Sequence, residues 1–127
     1  MEVNVVEETK IGIAMFPDGE VIMCPGVIVG RGLGVVRLPE PDEPGLPGYS
    51  VTQMATGRRA PDACFHSKAL AVRCARELSR IFSFDQATLE EAQTVFGPVW
   101  EEMLAPIVER YRDLDDLWIN RQVQLHG

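Results

Sequence analysis

The stretch YSVTQMATGRRAPDACFHSKALAVRCARELSRIFSF, Tyr49–Phe84, decides the fold of this chain. Residues 49–54 alternate apolar and polar side chains and are rich in strand formers, which predicts a half-buried strand. Thr56-Gly57 then supplies a turn, because glycine adopts a positive φ without steric cost. A short second strand is expected to run up to Phe65, and a helix follows it.

The helix is predicted to begin after Ser67 and to end near Ser83. Serine is a good N-cap residue, since its hydroxyl accepts a hydrogen bond from a free amide of the first turn. Apolar residues recur every three or four positions and predict one buried face, formed by Ala71, Cys74, Ala75, Leu78, Ile81 and Phe82. Arginines recur at the same spacing on another face, at Arg73, Arg76 and Arg80.

A hairpin is predicted near the start of the chain. Residues 11–16 lead into Pro17-Asp18-Gly19, and residues 20–23 follow. Proline presets φ, aspartate tolerates the turn and glycine accepts a positive φ, so the connection has the chemistry of a hairpin turn. The first ten residues leave both a short edge strand and an irregular segment open.

A second hairpin is predicted further along. Cys24-Pro25-Gly26 has the composition of a turn. The glycine-rich segment Gly30–Gly34 lies between strand-like residues 27–29 and 35–38. Its glycine spacing matches neither the dinucleotide fingerprint nor the P-loop, and no helix follows it, so we interpret it as a hairpin connector and not a phosphate cradle.

Two segments have no strand or helix pattern. Residues 39–48 hold four prolines and three acids, which predicts an extended, mobile surface loop. The tail 119–127 has no clear pattern. Neither segment divides the chain, because neither side of the loop has enough strands and covering helix to fold alone, so residues 1–127 are predicted to form a single domain.

The C-terminal half is predicted to be helical. Thr88 and Glu91 match a capping box. One long apolar face follows, formed by Leu89, Ala92, Phe96, Trp100, Met103, Ile107, Tyr111, Leu114 and Trp118. Gly97-Pro98 is expected to end one helix and open the next, and Pro106 to kink or break the helix by clashing with the carbonyl of Glu102.

Together these patterns predict an α+β fold. A four- to five-stranded, mostly antiparallel sheet comes from the N-terminal half, and two to four C-terminal helices cover one of its faces. The start of the chain lacks the basic and apolar regions of a secretion signal, and the three cysteines have no framework spacing, so a cytoplasmic location is expected. No apolar run approaches the length of a membrane span.

Charge is segregated along the chain, although the net charge is −7. Residues 58–80 carry six bases and two acids, whereas residues 81–118 carry nine acids and two bases. This overall acidity disfavours a general binder of nucleic acid or anionic membranes. The basic segment leaves a local nucleic-acid site open.

Cys64 and His66 are the residues closest to a catalytic arrangement. A Cys–His nucleophile pair needs the two side chains to meet and a third group to orient the histidine. If Phe65 points into the core, Cys64 and His66 lie on the solvent-facing side of the strand or at its end. We therefore interpret this segment as the end of a strand that leads into a helix cap, and not as a catalytic pair. The remaining cysteines and His126 do not have the spacing of a zinc site, so neither a catalytic residue nor a metal or cofactor is assigned.

Part of the chain resembles small proteins carried by phages and mobile elements of GC-rich bacteria. The resemblance rests on the order Tyr49-Ser50-Val51-Thr52, Thr56-Gly57, Phe65, Ser67-Lys68-Ala69 and Ala75-Arg76-Glu77-Leu78. It covers about a third of the chain and has no agreed activity attached to it. It implies a small adaptor, an inhibitor of a host defence system, or an accessory protein of DNA transactions.

Three functional hypotheses follow. The first is a non-enzymatic protein-binding module that docks on a basic partner surface through an acidic face, defined as Glu90, Glu91, Glu101, Glu102, Glu109 and Asp113. The second is nucleic-acid binding through a basic face, defined as Arg58, Arg59, Arg73, Arg76 and Arg80. The third is thiol chemistry at Cys64 and His66. A homodimer through Trp100, Tyr111 and Trp118 is a further option, because these residues exceed what one small sheet can cover.

Overall fold

The computed structural model describes residues 9–15, 20–39 and 47–126, and it contains a five-stranded antiparallel sheet followed by helices. The strands are β1 (Thr9–Met15), β2 (Glu20–Gly30), β3 (Leu33–Arg37), β4 (Tyr49–Gln53) and β5 (Arg58–Phe65). The helices are α1 (Lys68–Ile81), α2 (Leu89–Val99) and α3 (Ala105–His126), with a π-helical turn at Trp100–Leu104 between the last two. The predicted α+β class is confirmed.

The strands lie in sequence order, so the sheet is a simple meander. The sheet is strongly curled, so that its first strand approaches the turn after β4. The amide of Ala14 in β1 donates to the carbonyl of Gly57 in that turn at 2.9 Å. Glycine permits the curl at Gly34, where a Cβ atom would lie 2.7 Å from Cδ1 of Ile11. A small cluster fills the face opposite the helices, formed by Ile11, Ile13, Cys24 and Val36.

The main core lies between the other face of the sheet and the helices. Val35, Val51 and Phe65 are fully buried there, against Ala71 and Leu78 of α1. The burial of these side chains is the largest stabilising term of the fold, at roughly 1.5–3 kcal/mol for each large apolar side chain. The predicted inward face of α1 is confirmed at 71, 74, 75 and 78.

The segment Cys24-Pro25-Gly26 is not a turn, and that prediction is wrong. All three residues lie inside the eleven-residue strand β2. Pairing with β3 begins only at Gly26, so Pro25 needs no amide donor on that side. The glycine-rich connector is confirmed as a hairpin turn, in which Arg31 and Gly32 have φ values of 51° and 88°.

Helix α1 begins as predicted and ends slightly early. The hydroxyl of Ser67 accepts a hydrogen bond from the amide of Leu70 at 3.3 Å. The last helical residue is Ile81, followed by Phe82 as C-cap. Ile81 is exposed and not part of the buried face, because the helix ends there and the chain turns away into the extended segment 82–88.

Of the two predicted proline breaks, the one at Gly97-Pro98 is wrong, whereas an irregular turn does precede Pro106 as expected. Pro98 is inside α2, which runs to Val99, so Gly97-Pro98 does not separate two helices. The irregularity is the π turn, in which the amide of Ala105 donates to the carbonyl of Trp100, five residues back. A widened turn just before Pro106 removes the clash that a proline ring makes with the carbonyl four residues earlier.

The π turn also changes which residues of α3 face the core. Leu104, Val108, Tyr111 and Asp115 are buried, whereas the apolar face expected from the sequence continued through Met103, Ile107, Leu114 and Trp118. One extra residue in a turn rotates the following helix by about 100°, so Met103, Leu114 and Trp118 of the predicted face are exposed, whereas Tyr111 is buried and Ile107 packs against the core as predicted. Leu89 at the start of α2 is likewise exposed.

The remaining predictions concern the chain ends and the loop. The tail is helical, since α3 continues to His126. Residues 40–46 of the proline-rich loop, residues 1–8 and the turn residues 16–19 lie outside the described residues. At the base of the loop, the amide of Leu38 donates to the carbonyl of Gly48 at 2.7 Å, which holds the ends of β3 and β4 together.

Candidate functional site

The predicted acidic face is exposed at all six positions. Glu90 and Glu91 lie in the first turn of α2, where Glu91 Oε2 accepts a hydrogen bond from the amide of Ala87 at 3.2 Å. Glu101 and Glu102 lie in the π turn, and the other two belong to α3. Of the predicted capping box, the hydroxyl of Thr88 accepts from the amide of Glu91 at 3.1 Å, whereas the Glu91 carboxylate bonds the amide of Ala87 and not that of Thr88.

On α3 the acids form a compact row. Glu109, Asp113 and Asp116 are spaced by four and three residues, so they lie on one side of the helix, and all three are exposed. We call these residues the acidic row. Arg112 is also exposed and lies next to the row, three residues after Glu109 and four before Asp116, so this side of α3 carries three acids and one arginine.

Beside the acidic row lie four apolar residues of α3 that are exposed and belong to neither buried cluster of the described residues. Leu114, Leu117, Trp118 and Leu125 are 40%, 68%, 39% and 66% exposed. Their spacing of three, four and seven residues places them on one side of α3, between the acidic row and the core-facing side. We call these four residues the outer stripe.

Asp115 is not part of that surface, although it belongs to the same acidic run in the sequence. Only 3% of the residue is exposed. Its carboxylate accepts hydrogen bonds from the amides of His66 and Ser67, both at 2.8 Å, and Oδ2 lies 2.9 Å from Nδ1 of His66. It thus binds the start of α1, where free amides and the helix dipole favour a negative charge.

The basic face is exposed at all five positions. Within the described residues none of these arginines forms an ion pair with a carboxylate; the Arg73 guanidinium lies 5.8 Å from the ring centre of Tyr111. The ion pair that joins α1 to α3 has the opposite polarity, with Glu77 on α1 and Arg110 on α3. The arginines are therefore not neutralised by the C-terminal acids.

Cys64 and His66 have different surroundings. Cys64 is half-buried on the face opposite Phe65, and Arg59 Nη1 donates to its sulfur at 3.0 Å. His66 has the orienting carboxylate that nucleophilic catalysis requires, yet that carboxylate also binds two amides of the helix start. Burial, and to a lesser extent Glu77, raises the pKa of the Cys74 thiol to about 12, which suits a packing role.

The three aromatic residues considered for a dimer are not equivalent. Tyr111 is buried in the core, so the expectation that it forms surplus apolar surface is wrong. Trp100 is half-buried and packs against the same core. Trp118 is exposed, because the rotation of α3 after the π turn moves it off the core.

A pocket lies between β5 and α2, and the sequence does not indicate it. Its volume is about 220 Å³, and its lining is mostly apolar, with Phe84, Leu89, Ala92, Phe96 and Trp100 among the wall residues. Arg58, Arg59, Gln53 and Gln93 also line it. Its walls come from β3, β4, β5 and the stretch 84–100, and no local pattern in the sequence marks them. We call this the α2 pocket.

The described residues show neither a metal cluster nor a membrane span. Residues 9–15, 20–39 and 47–126 contain no group of three or more histidines, cysteines or acids arranged to hold a metal ion. Within the same ranges no helix has the length and apolarity needed to cross a bilayer. Comparisons of the chain with family models, with curated proteins and with solved structures return no match.

Proposed function

We propose that this chain is a non-enzymatic protein-binding module, acting as an inhibitor or adaptor, whose helix α3 docks on a basic partner surface. The observation that supports the proposal most is the outer stripe, an exposed apolar strip bordered by the acidic row. Leu114, Leu117 and Trp118 are neighbours on the helix, and Arg121 separates them from Leu125. An exposed apolar patch with a polar rim is typical of a binding surface.

The two parts of this surface have different physical roles. Burial of Leu117 and Trp118 in a partner groove supplies affinity, since a few large apolar side chains dominate the energy of most interfaces. Carboxylates at the rim accelerate encounter with a positively charged partner and make the association sensitive to salt. The partner that fits has an apolar groove bordered by lysine or arginine, including surfaces that otherwise hold nucleic acid.

Charge reversal tests the electrostatic part. The variant carries Glu101→Lys, Glu102→Lys, Glu109→Lys and Asp113→Lys, and Glu20→Lys on β2 is an exposed control. Proteins captured from a lysate of the source cells, after nuclease treatment, are identified by mass spectrometry. We expect the quadruple variant to lose a protein that the parent and the control retain. Undiminished capture by a folded quadruple variant contradicts the proposal.

A second candidate function is nucleic-acid binding through the basic face. It is supported by the absence of ion pairs at these arginines within the described part of the chain. Guanidinium groups that are free of carboxylates can contact phosphates, and such binding weakens steeply as salt rises. A gel shift with duplex and single-stranded DNA and RNA tests it: retention at low salt that Arg73→Gln/Arg76→Gln/Arg80→Gln removes supports it, and no retention excludes it.

A further inference from the structure

We propose that the α2 pocket binds a small aromatic carboxylate, with its ring between the apolar walls and its carboxylate at Arg58. This activity is independent of docking through α3. The size of the pocket sets the size of the ligand. A cavity of about 150 Å³ holds one benzene ring. The α2 pocket is about 220 Å³, which leaves room for one ring and a short acidic side chain.

The walls of the pocket favour an aromatic ligand. Phe84 and Phe96 stack with their ring centres 4.5 Å apart and an angle of 17° between the ring planes, and Phe82 meets Phe96 edge-on at 5.8 Å. These contacts hold the rings of the wall in place, and Trp100 supplies a further aromatic surface. Aromatic rings pack against one another more favourably than their area alone indicates.

The floor of the pocket is braced by Gln53, which is itself buried. Its Nε2 donates to the carbonyl of Phe84 at 3.1 Å and to Oε1 of Gln86 at 3.0 Å, and its Oε1 accepts the hydroxyl of Thr56 at 2.9 Å. Because this amide is already satisfied, it holds the segment 82–88 against the sheet and does not compete for a ligand.

Arg58 is the cation placed to select the charge of the ligand. It pairs with Gln53 across the β4–β5 ladder, which puts it on the helix-covered face of the sheet, at the pocket. The neighbouring Arg59 pairs with Thr52, and its guanidinium donates to Cys64 on the other face. Within the described residues the Arg58 side chain forms no ion pair, so its guanidinium is open to a carboxylate.

The test uses Trp100 as an internal reporter. The chain has two tryptophans, so Trp118→Phe leaves Trp100 alone. We expect 3-phenylpropionate to change the emission of Trp100 saturably, and 3-phenylpropylamine to bind far more weakly. Arg58→Gln is expected to weaken 3-phenylpropionate binding about fivefold, since an exposed charged hydrogen bond contributes modestly. The matched control Arg76→Gln, on α1, leaves binding unchanged.

A filling variant checks the position of the ligand. Ala92→Leu adds volume inside the pocket from α2, and we expect it to abolish the change in emission while the circular dichroism spectrum stays that of the parent. Three results overturn the proposal: no saturable response to 3-phenylpropionate, equal binding of the acid and the amine, or equal affinity of the Arg58→Gln and Arg76→Gln variants. The pocket and the α3 surface are separate, and docking is measured on chains that retain Trp118, so failure here does not count against docking through α3.

Discussion

The replacement Asp115→Ala tests how much the hydrogen bonds between α3 and the start of α1 stabilise the fold. In the parent protein the Asp115 carboxylate accepts from two amides at the start of α1 and contacts the ring of His66. Alanine removes all three interactions at a site that is 97% buried, since only 3% of Asp115 is exposed. Asp116→Ala is the matched control, because that neighbour is exposed.

The magnitude follows from the groups that lose a partner. A buried polar group without a partner costs about 1–3 kcal/mol, and hydrogen bonds to a charged group are at the upper end. Two amides and one imidazole nitrogen are affected, and water that enters the gap relieves part of the cost. We therefore expect Asp115→Ala to lower the free energy of unfolding by about 3–4 kcal/mol, a large part of the roughly 5–15 kcal/mol of a typical domain.

Thermal and urea unfolding measure this effect. For a chain of 127 residues the entropy of unfolding is about 0.27 kcal/mol per kelvin, so a loss of 3 kcal/mol lowers Tm by about 11 °C. Asp116→Ala is expected to stay within about 0.5 kcal/mol of the parent. Equal stability of the two variants refutes the conclusion that Asp115 binds the start of α1.

Four further predictions test other parts of the fold. Gly32→Ala is expected to cost at least about 2 kcal/mol in a urea melt, because Gly32 has a φ of +88° and a Cβ there would lie 2.2 Å from the carbonyl oxygen of Phe84. Gly97→Ala, on α2 with open space around it, is expected to stabilise by about 0.5–1 kcal/mol, so the reverse order of the two variants contradicts the structure. Gln53→Ala is expected to lower the free energy of unfolding by about 1–3 kcal/mol, because the carbonyls of Phe84 and Gln86 lose their donor. A loss below about 0.5 kcal/mol, which is the size of an ordinary surface change, contradicts the conclusion that Gln53 holds the segment 82–88 against the sheet. At neutral pH iodoacetamide is expected to label Cys64 in the native protein. Cys74 is buried and its pKa is raised to about 12, so it is expected to react only after unfolding. Labelling of Cys74 in the native protein at the rate of Cys64 contradicts the burial of Cys74.

Much of the fold is predictable from local patterns. Ser67 and the apolar spacing of α1 predict its start and its buried face, because a capping serine and a period of 3.6 depend on neighbouring residues alone. The strands β3 and β4 follow from the same kind of evidence. Cys24-Pro25-Gly26 misleads because proline and glycine favour turns in general, whereas here β3 pairs only from Gly26 on.

The orientation of α3 is not predictable from the same patterns. Met103, Ile107, Tyr111, Leu114 and Trp118 form one apolar series, and Leu104, Val108 and Tyr111 form a second series that shares Tyr111 with the first. The π turn decides between them, and its position depends on how the sheet and helices pack. The burial of Asp115 cannot be predicted from the sequence either, because a carboxylate within a run of acids is expected to lie on a solvent-exposed face.

The candidate site likewise has parts that the sequence predicts and parts that depend on how the elements pack. The acidic face and the basic face are predictable as exposed charge, since charged side chains are rarely buried without a partner. The outer stripe is a consequence of the rotation of α3, and the α2 pocket needs β5, the segment 82–88 and α2 to meet. Neither has a sequence pattern of its own.

The most direct measurement of docking through α3 compares two apolar double variants. Leu117→Ala/Trp118→Ala removes the centre of the outer stripe, and Val21→Ala/Met23→Ala removes two exposed apolar residues of β2. The Kd of each for the partner protein identified by capture is measured by calorimetry. The proposal predicts that the α3 variant binds at least about a hundredfold more weakly than the parent, as for loss of an interface hot spot, and that the β2 variant binds like the parent. Equal Kd values for the two variants contradict it.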